Sequence, residues 1–226
     1  MFQTSTPELK HLTIERVLSH SAGLPDYVND EAVNNLCHRY AILDEFIKTI
    51  STGSPPFAMG REYRYSNSGY LYLGKIIEVV SGKSYHDYLR DSFFIPLNMN
   101  NTFVIEKGVT AGNVTAYTRR ESAPDTYLEP ALEQKWLVDR SWISAAGAIA
   151  STLTDISRWQ IALHSGKVIS NHNYHLMTTQ TKLNNGEFIH YGLGLNVYPI
   201  SNKLTYKHDG MVPGFFHGWC IFMMMI

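Results

Sequence analysis

Cysteine is scarce in this 226-residue sequence, and its net charge is almost zero. The two cysteines, Cys37 and Cys220, lack the close spacing of a metal-binding motif, so we expect separate free thiols. A formal net charge of -1 provides no basic surface for nucleic acid and no acidic tail. The composition therefore favours a neutral or small polar ligand and argues against a nucleic acid partner.

Long apolar runs are also lacking. The apolar C-terminal stretch, residues 215–226, is shorter than the roughly 20 residues that a membrane-spanning helix needs, so we expect a buried strand there. Residues 1–5 lack the positive charge and the apolar run of a signal peptide. The sequence thus predicts no transmembrane segment and no signal peptide in this chain.

Apolar residues, at 44%, are nevertheless abundant enough to bury a sizeable core. The hydrophobic pattern is mostly helical over residues 11–185 and strand-like over residues 186–226. Strands are expected at residues 192–198 and 203–208 around a Ser201-Asn202 turn, and again from Phe215. Helices followed by sequential antiparallel strands predict a single α+β domain over residues 1–226.

Capping and turn residues place the individual helices. The longest is expected between the turn Tyr65-Ser66-Asn67 and Gly82, with apolar positions at helical spacing: Leu71, Leu73, Ile76, Ile77 and Val80. Other helices are expected over residues 43–50 and with starts at Thr13, Ser84, Thr154 and Asn171. Residues 98–139 predict irregular structure with short strands, and the small residues at 144–148 predict close backbone packing.

Two groups of residues look reactive but favour ordinary roles. His20 and Ser21 are adjacent at a helix end, where neighbouring side chains seldom face one substrate, so we expect them to be structural. His172 and His175 are three residues apart and could share a helix face, but no third ligand is evident. We therefore expect surface histidines there and no metal site.

The polar turn Tyr65-Ser66-Asn67 stands directly before the longest predicted helix, where it can present chemistry at the helix start. Further strings follow the same order as in a known group of proteins: residues 13–25, residues 144–156, Tyr191-Gly192-Leu193-Gly194-Leu195 and residues 208–214. On these motifs the chain resembles the serine beta-lactamase and penicillin-binding-protein-like family, near class C beta-lactamases, D-Ala-D-Ala peptidases and related esterases. The resemblance covers nearly the whole chain and implies helices packed on an antiparallel sheet, with the fold truncated at both ends.

The resemblance implies hydrolysis of an amide or ester through an acyl-enzyme, on a small-molecule or peptide-like substrate and without metal or cofactor. Tyr65 matches the tyrosine that helps to move protons, and Asn67 matches the amide that holds substrate. His208 and Gly210 match the third motif of the family, on the strand that runs along the substrate. The N–H of Met211 falls at the position of an oxyanion donor.

The nucleophile of this family lies in a Ser-x-x-Lys segment, and no such string occurs in these residues. The nearest string, Thr179-Gln180-Thr181-Lys182, comes too late in the order and begins with the wrong residue. Without that lysine Tyr65 is expected to stay protonated, because a free tyrosine has a pKa of about 10. His208, in the place of a lysine, implies peptidase- or esterase-like chemistry. Ser66 and Ser68 flank the turn and would be the first alternative nucleophiles to test.

Three hypotheses follow from this pattern. The first is a serine hydrolase represented by an incomplete chain, inactive as given. The second is a pseudoenzyme or ligand-binding module that keeps the cleft without turnover, and the third is a degraded fragment that does not fold stably. Family relatives usually act in the periplasm or are secreted, and for this chain the sequence assigns no localisation.

Overall fold

The computed structural model describes residues 10–27, 44–45, 47–48, 54–105, 117–119, 128–130, 141–212 and 215–222. The fold is α+β, as predicted, with helices followed by an antiparallel sheet. The helices are α1 Ile14–Leu18, α2 Asn67–Ser81, α3 Tyr85–Leu89, α4 Leu153–His164 and α5 Asn171–Thr178. No helix in these ranges is both long and apolar enough to cross a membrane. Cys37 and residues 1–5 lie outside the described residues.

Short elements connect the helices. A π-helical turn, Arg90–Phe94, extends α3, and a 3-10 segment, Ser141–Ala146, precedes α4. Strand β1, Phe103–Val104, pairs with β4, Ile149–Ala150, and β2, Tyr117–Arg119, pairs with β3, Leu128–Pro130. These strands agree with the irregular structure predicted for this region, although residues 106–116, 120–127 and 131–140 lie outside the described chain.

A three-stranded antiparallel sheet closes the chain, in the order β5 Asn196–Ile200, β6 Lys203–Val212 and β7 Phe215–Phe222. Ser201 and Asn202 join β5 to β6 with φ angles of 50° and 60°. Positive φ at both residues is typical of the tight hairpin turn that suits the twist of a strand pair. The predicted turn and all three strands are confirmed, but β5 begins at Asn196 rather than Gly192.

Helix α2 is the longest helix in the described chain and begins where the polar turn predicts. Ser66 caps it by accepting a hydrogen bond from the N–H of Gly69 at 3.1 Å, and Gly82 ends it with a φ of 68°. Leu71 is fully buried, as its position in the apolar pattern requires. Val80, the last apolar position of the pattern, is 81% exposed and lies in the final turn of the helix.

The small residues before α4 allow two elements to pack backbone against backbone. A Cβ atom added to Gly74 of α2 would lie 2.5 Å from the Cβ of Ala145. Only glycine at position 74 permits this approach. The close packing predicted for residues 144–148 is therefore confirmed, and its partner is the middle of α2.

Helix α4 begins two residues earlier than the sequence predicts. Thr152, rather than Thr154, accepts the hydrogen bond from the N–H of Asp155, at 3.3 Å. Asp155 is fully buried and also accepts from the N–H of Asn101, at 2.7 Å, and from Arg158, at 2.7 Å. Burial acts to raise the pKa of Asp155, but these donors outweigh it and hold the pKa below its usual range. With Thr152 as the cap, Asp155 is the third helical residue, the position whose N–H can reach the hydroxyl of the cap.

The apolar core consists of clusters between these elements. One joins α1 to α2 through Val17, Ala22, Leu24, Ile47 and Tyr72. A second surrounds β1 and the 3-10 segment and contains Phe94, Met99, Val104, Ile105, Ile143 and Ala148. A third, Leu195, Val197 and Tyr206, lies on the sheet. The first cluster fixes the end of α1 against the start of α2, which is where the polar turn lies.

Gly23 makes the turn after α1 possible. Its φ is +73°, and a Cβ atom there would collide with the backbone carbonyl of Phe57. Gly82 has a similar φ, +68°, but nothing lies within 4 Å of the position of its Cβ. The two positions therefore separate the effect of a steric collision from that of backbone conformation.

We expect Gly82→Ala to lower the free energy of unfolding by about 1 kcal/mol, the ordinary cost of a left-handed conformation. Gly23→Ala should lower it by about 3 kcal/mol or more, because the methyl group meets backbone that cannot rotate away. Urea denaturation of both variants measures the difference. Equal losses in the two variants would mean that the segment around Phe57 moves aside freely.

Candidate active site

The polar turn before α2 is held in place by a single histidine at the end of α1. The carbonyl of His20 accepts a hydrogen bond from the N–H of Arg64 at 2.9 Å, and its Nδ1 accepts one from the N–H of Ser66 at 3.0 Å. These two bonds flank Tyr65. His20 is 2% exposed and has a φ of 55°, a left-handed conformation that is uncommon outside glycine.

Tyr65 lies between His20 and the sheet. Its ring centroid is 4.1 Å from that of His20 and 6.2 Å from that of His208. Burial raises the pKa of Tyr65, and the negative charges of Asp26 and Asp209 raise it further. Its hydroxyl is therefore a protonated phenol at neutral pH, as the sequence predicts when no cation stands nearby.

Asn67 is the first residue of α2, and its amide is oriented by a carboxylate. Its Nδ2 lies 3.2 and 3.4 Å from the two carboxylate oxygens of Asp26, which is 8% exposed. Since an ionised carboxylate can only accept hydrogen bonds, the amide nitrogen faces Asp26. The amide oxygen of Asn67 then remains as the hydrogen-bond acceptor of this side chain.

The serines beside the turn are used by the fold. Ser66 caps α2, and the Oγ of Ser68 accepts a hydrogen bond from the N–H of Tyr27 at 2.9 Å. Ser66 is 6% exposed and Ser68 is fully buried. Neither hydroxyl has the accessible position that a nucleophile needs.

The third-motif residues lie on the part of β6 that extends past β5. The pairing of β5 with β6 ends at Asn196 opposite Lys207, whereas β7 pairs with β6 as far as Val212. Among the described strands, none pairs with residues 208–212 on the side of β5. Gly210 is exposed, and a Cβ atom added to it would meet nothing within 4 Å.

The hairpin register shows which backbone groups point to this open edge. The pair next to the two-residue turn, Ile200 and Lys203, is hydrogen-bonded, and such pairs recur at every second residue. Counting along β6 by two from Lys203 gives Thr205, Lys207, Asp209 and then Met211. The N–H and C=O groups of Asp209 and Met211 therefore point to the side of β5 but beyond its end. The N–H of Met211 is therefore directed to the open edge of β6.

A buried tyrosine joins the two halves of the site. The hydroxyl of Tyr191 lies 3.2 Å from Nε2 of His20 and 2.9 Å from Nε2 of His208. Burial lowers the pKa of His20 to about 3, and the neighbouring His208 lowers it as well. Burial also raises the pKa of Tyr191 far above its usual range, so at neutral pH His20 is uncharged and Tyr191 is a phenol.

The contact between His20 and Tyr191 was not predicted from the sequence. His20 was expected to be structural, and Tyr191 was noted only as the first residue of a Tyr-Gly-Leu-Gly-Leu string. The string carries no signal for this contact, because Tyr191 meets His20 and His208 only through the fold. Among the described residues there is no cluster of potential metal ligands, and His172 is exposed as predicted.

Comparison with known proteins places these motifs in one family. The family model described as Beta-lactamase matches residues 4–224. Penicillin-binding protein 4* of Bacillus subtilis (strain 168) is 30% identical over 213 residues, which are 90% of this chain and 47% of that protein. The chain thus spans about half the length of this curated relative.

Solved structures share the fold. A D-stereospecific amidohydrolase from Streptomyces sp. matches 98% of this chain and 71% of its own chain, with a TM-score of 0.77 and 22% identity. The D-amino acid amidase from Ochrobactrum anthropi SV3, complexed with D-phenylalanine, matches 94% of this chain and 62% of its own, with a TM-score of 0.72 and 23% identity. At these identities the likeness confirms the α+β fold.

Acid should destabilise the protein through His20. The unfolded histidine has a pKa of about 6.5, and the folded pKa is about 3, so between these values only the unfolded state binds the proton. The stability that neutral His20 contributes is therefore complete above pH 6.5 and is lost as the pH falls towards 3. We expect the wild type to lose about 2 kcal/mol more than His20→Asn between pH 7 and pH 5.

Urea denaturation at the two pH values measures this difference. Asparagine tolerates the positive φ of position 20 but does not titrate. His172→Asn, which removes an exposed histidine, is the control and should keep the pH dependence of the wild type. If His20→Asn and the wild type showed the same pH dependence, His20 would bind a proton in the folded protein as readily as in the unfolded chain.

Proposed function

Because the chain belongs to the beta-lactamase family, whose model matches residues 4–224, we propose that its described residues form two facing sides of the acyl-substrate site of a serine hydrolase. The family match confirms the resemblance drawn from the sequence motifs. The observation that supports the proposal is the approach of the Tyr65 ring to that of His208, at 6.2 Å, from elements far apart in the sequence.

Tyr65 and Asn67 supply the polar groups on the helical side of the proposed site. With its raised pKa, Tyr65 holds its proton at neutral pH and can donate it to a leaving group. A neighbouring lysine, such as that of a Ser-x-x-Lys segment, would lower this pKa and allow the phenol to act as a base. Asn67, oriented by Asp26, offers its amide oxygen to an ammonium or amide donor.

The open edge of β6 supplies the opposite side of the proposed site. An extended, peptide-like substrate can pair with the backbone groups of Asp209 and Met211 as an added strand. The N–H of Met211 would then meet the oxyanion that forms when the carbonyl carbon is attacked. Gly210 keeps this edge accessible, since no side chain projects there.

The substrate class follows from these groups and from the relatives. A strand edge selects an amide or ester with a peptide-like backbone, and His208 in the place of a lysine favours a peptidase- or esterase-like activity. The D-amino acid amidase binds D-phenylalanine. We propose a small amide or ester of an amino acid or short peptide as the substrate.

A second candidate function is a binding module without turnover. It is favoured by the sequence, which contains no Ser-x-x-Lys to attack the substrate. In this case the edge of β6 and the amide of Asn67 would bind the same peptide-like ligands reversibly. The two candidates make different predictions about covalent chemistry.

We expect this chain alone to give no burst of product from nitrocefin or a p-nitrophenyl ester, and no covalent adduct with a fluorophosphonate. Loss of the nucleophile of a serine hydrolase reduces its rate by about a millionfold. Stopped-flow absorbance and intact mass spectrometry measure these two results. A stoichiometric adduct would contradict the account and, because Ser66 and Ser68 are buried, would point to a nucleophile elsewhere in the chain.

An engineered form that places a Ser-x-x-Lys helix of a family member ahead of the chain should gain covalent labelling and turnover. Tyr65→Phe in this form should then reduce turnover by about a hundredfold or more, because a positioned proton donor is lost. Tyr88→Phe, a tyrosine that packs on Phe93 away from the site, is the control.

Isothermal titration with an N-acyl-D-Ala-D-Ala peptide separates the candidates further. Saturable binding by the chain alone that is weakened in Asn67→Ala would support the assignment of Asn67 to the binding site. This result is expected for both the hydrolase and the binding module. If the engineered form binds this peptide but is never acylated by a beta-lactam, the binding module is favoured. Absence of binding to both forms would reject both candidates.

A further inference from the structure

His20 lies at the junction of the two halves of the proposed site, but it has no role in the acyl-transfer reaction described above. Its carbonyl and its Nδ1 accept the backbone N–H groups on either side of Tyr65, and its ring packs on that of Tyr65. Its other ring nitrogen faces Tyr191. One buried side chain thus contacts the proton donor on one side and the support of His208 on the other.

The direction of these hydrogen bonds follows from the backbone. The N–H of Ser66 can only donate, so Nδ1 of His20 carries no proton. A neutral imidazole has one proton, which must then be on Nε2. Nε2 lies 3.2 Å from the hydroxyl oxygen of Tyr191, so His20 donates to Tyr191.

Tyr191 in turn has one proton to donate. Its oxygen already accepts from His20, and Nε2 of His208 lies 2.9 Å away. The other hydroxyl beside it belongs to Tyr70, which donates its own proton to the carbonyl of Leu18 at 3.0 Å. An imidazole nitrogen is a stronger acceptor than a phenol oxygen, so the proton of Tyr191 is directed to His208. A neutral His208 then carries its own proton on Nδ1.

We propose that His20 is a positioning residue that holds the Tyr65 turn and, through Tyr191, fixes His208 in the tautomer with its proton on Nδ1. The proposal rests on the proposed function in that Tyr65 and His208 belong to one substrate site. In this tautomer Nδ1 of His208 is a hydrogen-bond donor, which suits a carbonyl or carboxylate oxygen of an acyl substrate. His20 thereby sets the chemistry of a residue that it does not touch.

Nitrogen NMR tests the tautomers directly on the chain as it exists. Long-range proton–nitrogen correlation of the 15N-labelled protein at pH 8 separates protonated from unprotonated ring nitrogens. His208→Gln and His20→Asn assign the two rings. We expect a proton on Nδ1 and none on Nε2 for His208, and the reverse for His20.

Two substitutions test the link between the residues. Tyr191→Phe removes only the hydroxyl and should shift His208 to a mixture of tautomers. His20→Phe keeps a ring against Tyr65 but removes both nitrogens, and it should shift His208 in the same direction while also moving the amide signals of Tyr65 and Ser66. His164→Phe is the matched control, since this half-buried histidine bonds Tyr174 at 2.6 Å outside the site and should leave His208 unchanged.

A proton on Nε2 of His208 in the wild type would overturn the proposal, because Tyr191 would then be an acceptor. An unchanged His208 tautomer in Tyr191→Phe would overturn it as well. The measurements on the wild type and on Tyr191→Phe can still be made if His20→Phe fails to fold. The NMR measurement uses no substrate, so its result is independent of the peptide titration. If the tautomers are as expected but the peptide does not bind, only the proposed function is rejected. If the peptide binds but the tautomer of His208 is the other one, only the positioning role of His20 is rejected.

Discussion

The hydrogen bond from the N–H of Ser66 to Nδ1 of His20 is the constraint on which the candidate site depends. Both groups are buried, and a buried N–H without an acceptor costs about 1–3 kcal/mol. Only an unprotonated nitrogen can satisfy it, which fixes the tautomer of a histidine that burial keeps neutral by lowering its pKa. The turn, the ring of Tyr65 and the contact with Tyr191 all take their positions from this bond.

Local sequence signals were enough to predict most of the regular structure. Ser66 and Gly82 mark the ends of α2, and Ser201 and Asn202 mark the tight hairpin, because capping and turn chemistry depend on a few neighbouring residues. The start of α4 was misplaced by two residues, since Thr152 and Thr154 carry the same local signal. The difference is made by Asn101 and Thr102, which are distant in the sequence and donate hydrogen bonds to Asp155.

The candidate site could be predicted only in part, and for a related reason. Tyr65, Asn67 and His208 were identified by motifs that resemble a known family, and the structure brings Tyr65 and His208 together. His20 and Tyr191 are 171 residues apart, and no local pattern in either segment indicates a contact. A histidine next to a serine at a helix end looks ordinary until the fold places a tyrosine against it.

The open edge of β6 has a fixed direction, and this makes it sensitive to handedness. A ligand residue whose own N–H and C=O both bond Met211 must run antiparallel to β6, because only antiparallel pairs exchange both bonds between two residues, so its N-to-C direction is determined. Once that direction is fixed, a D-residue and an L-residue of the ligand differ in one respect at this position. The side chain and the α-hydrogen of the residue that bonds Met211 exchange places across the plane of the strand. One face carries the rings of Tyr65 and His208 near it and the other does not. Chiral discrimination would therefore arise from the backbone of a single strand, without a pocket shaped for any particular side chain.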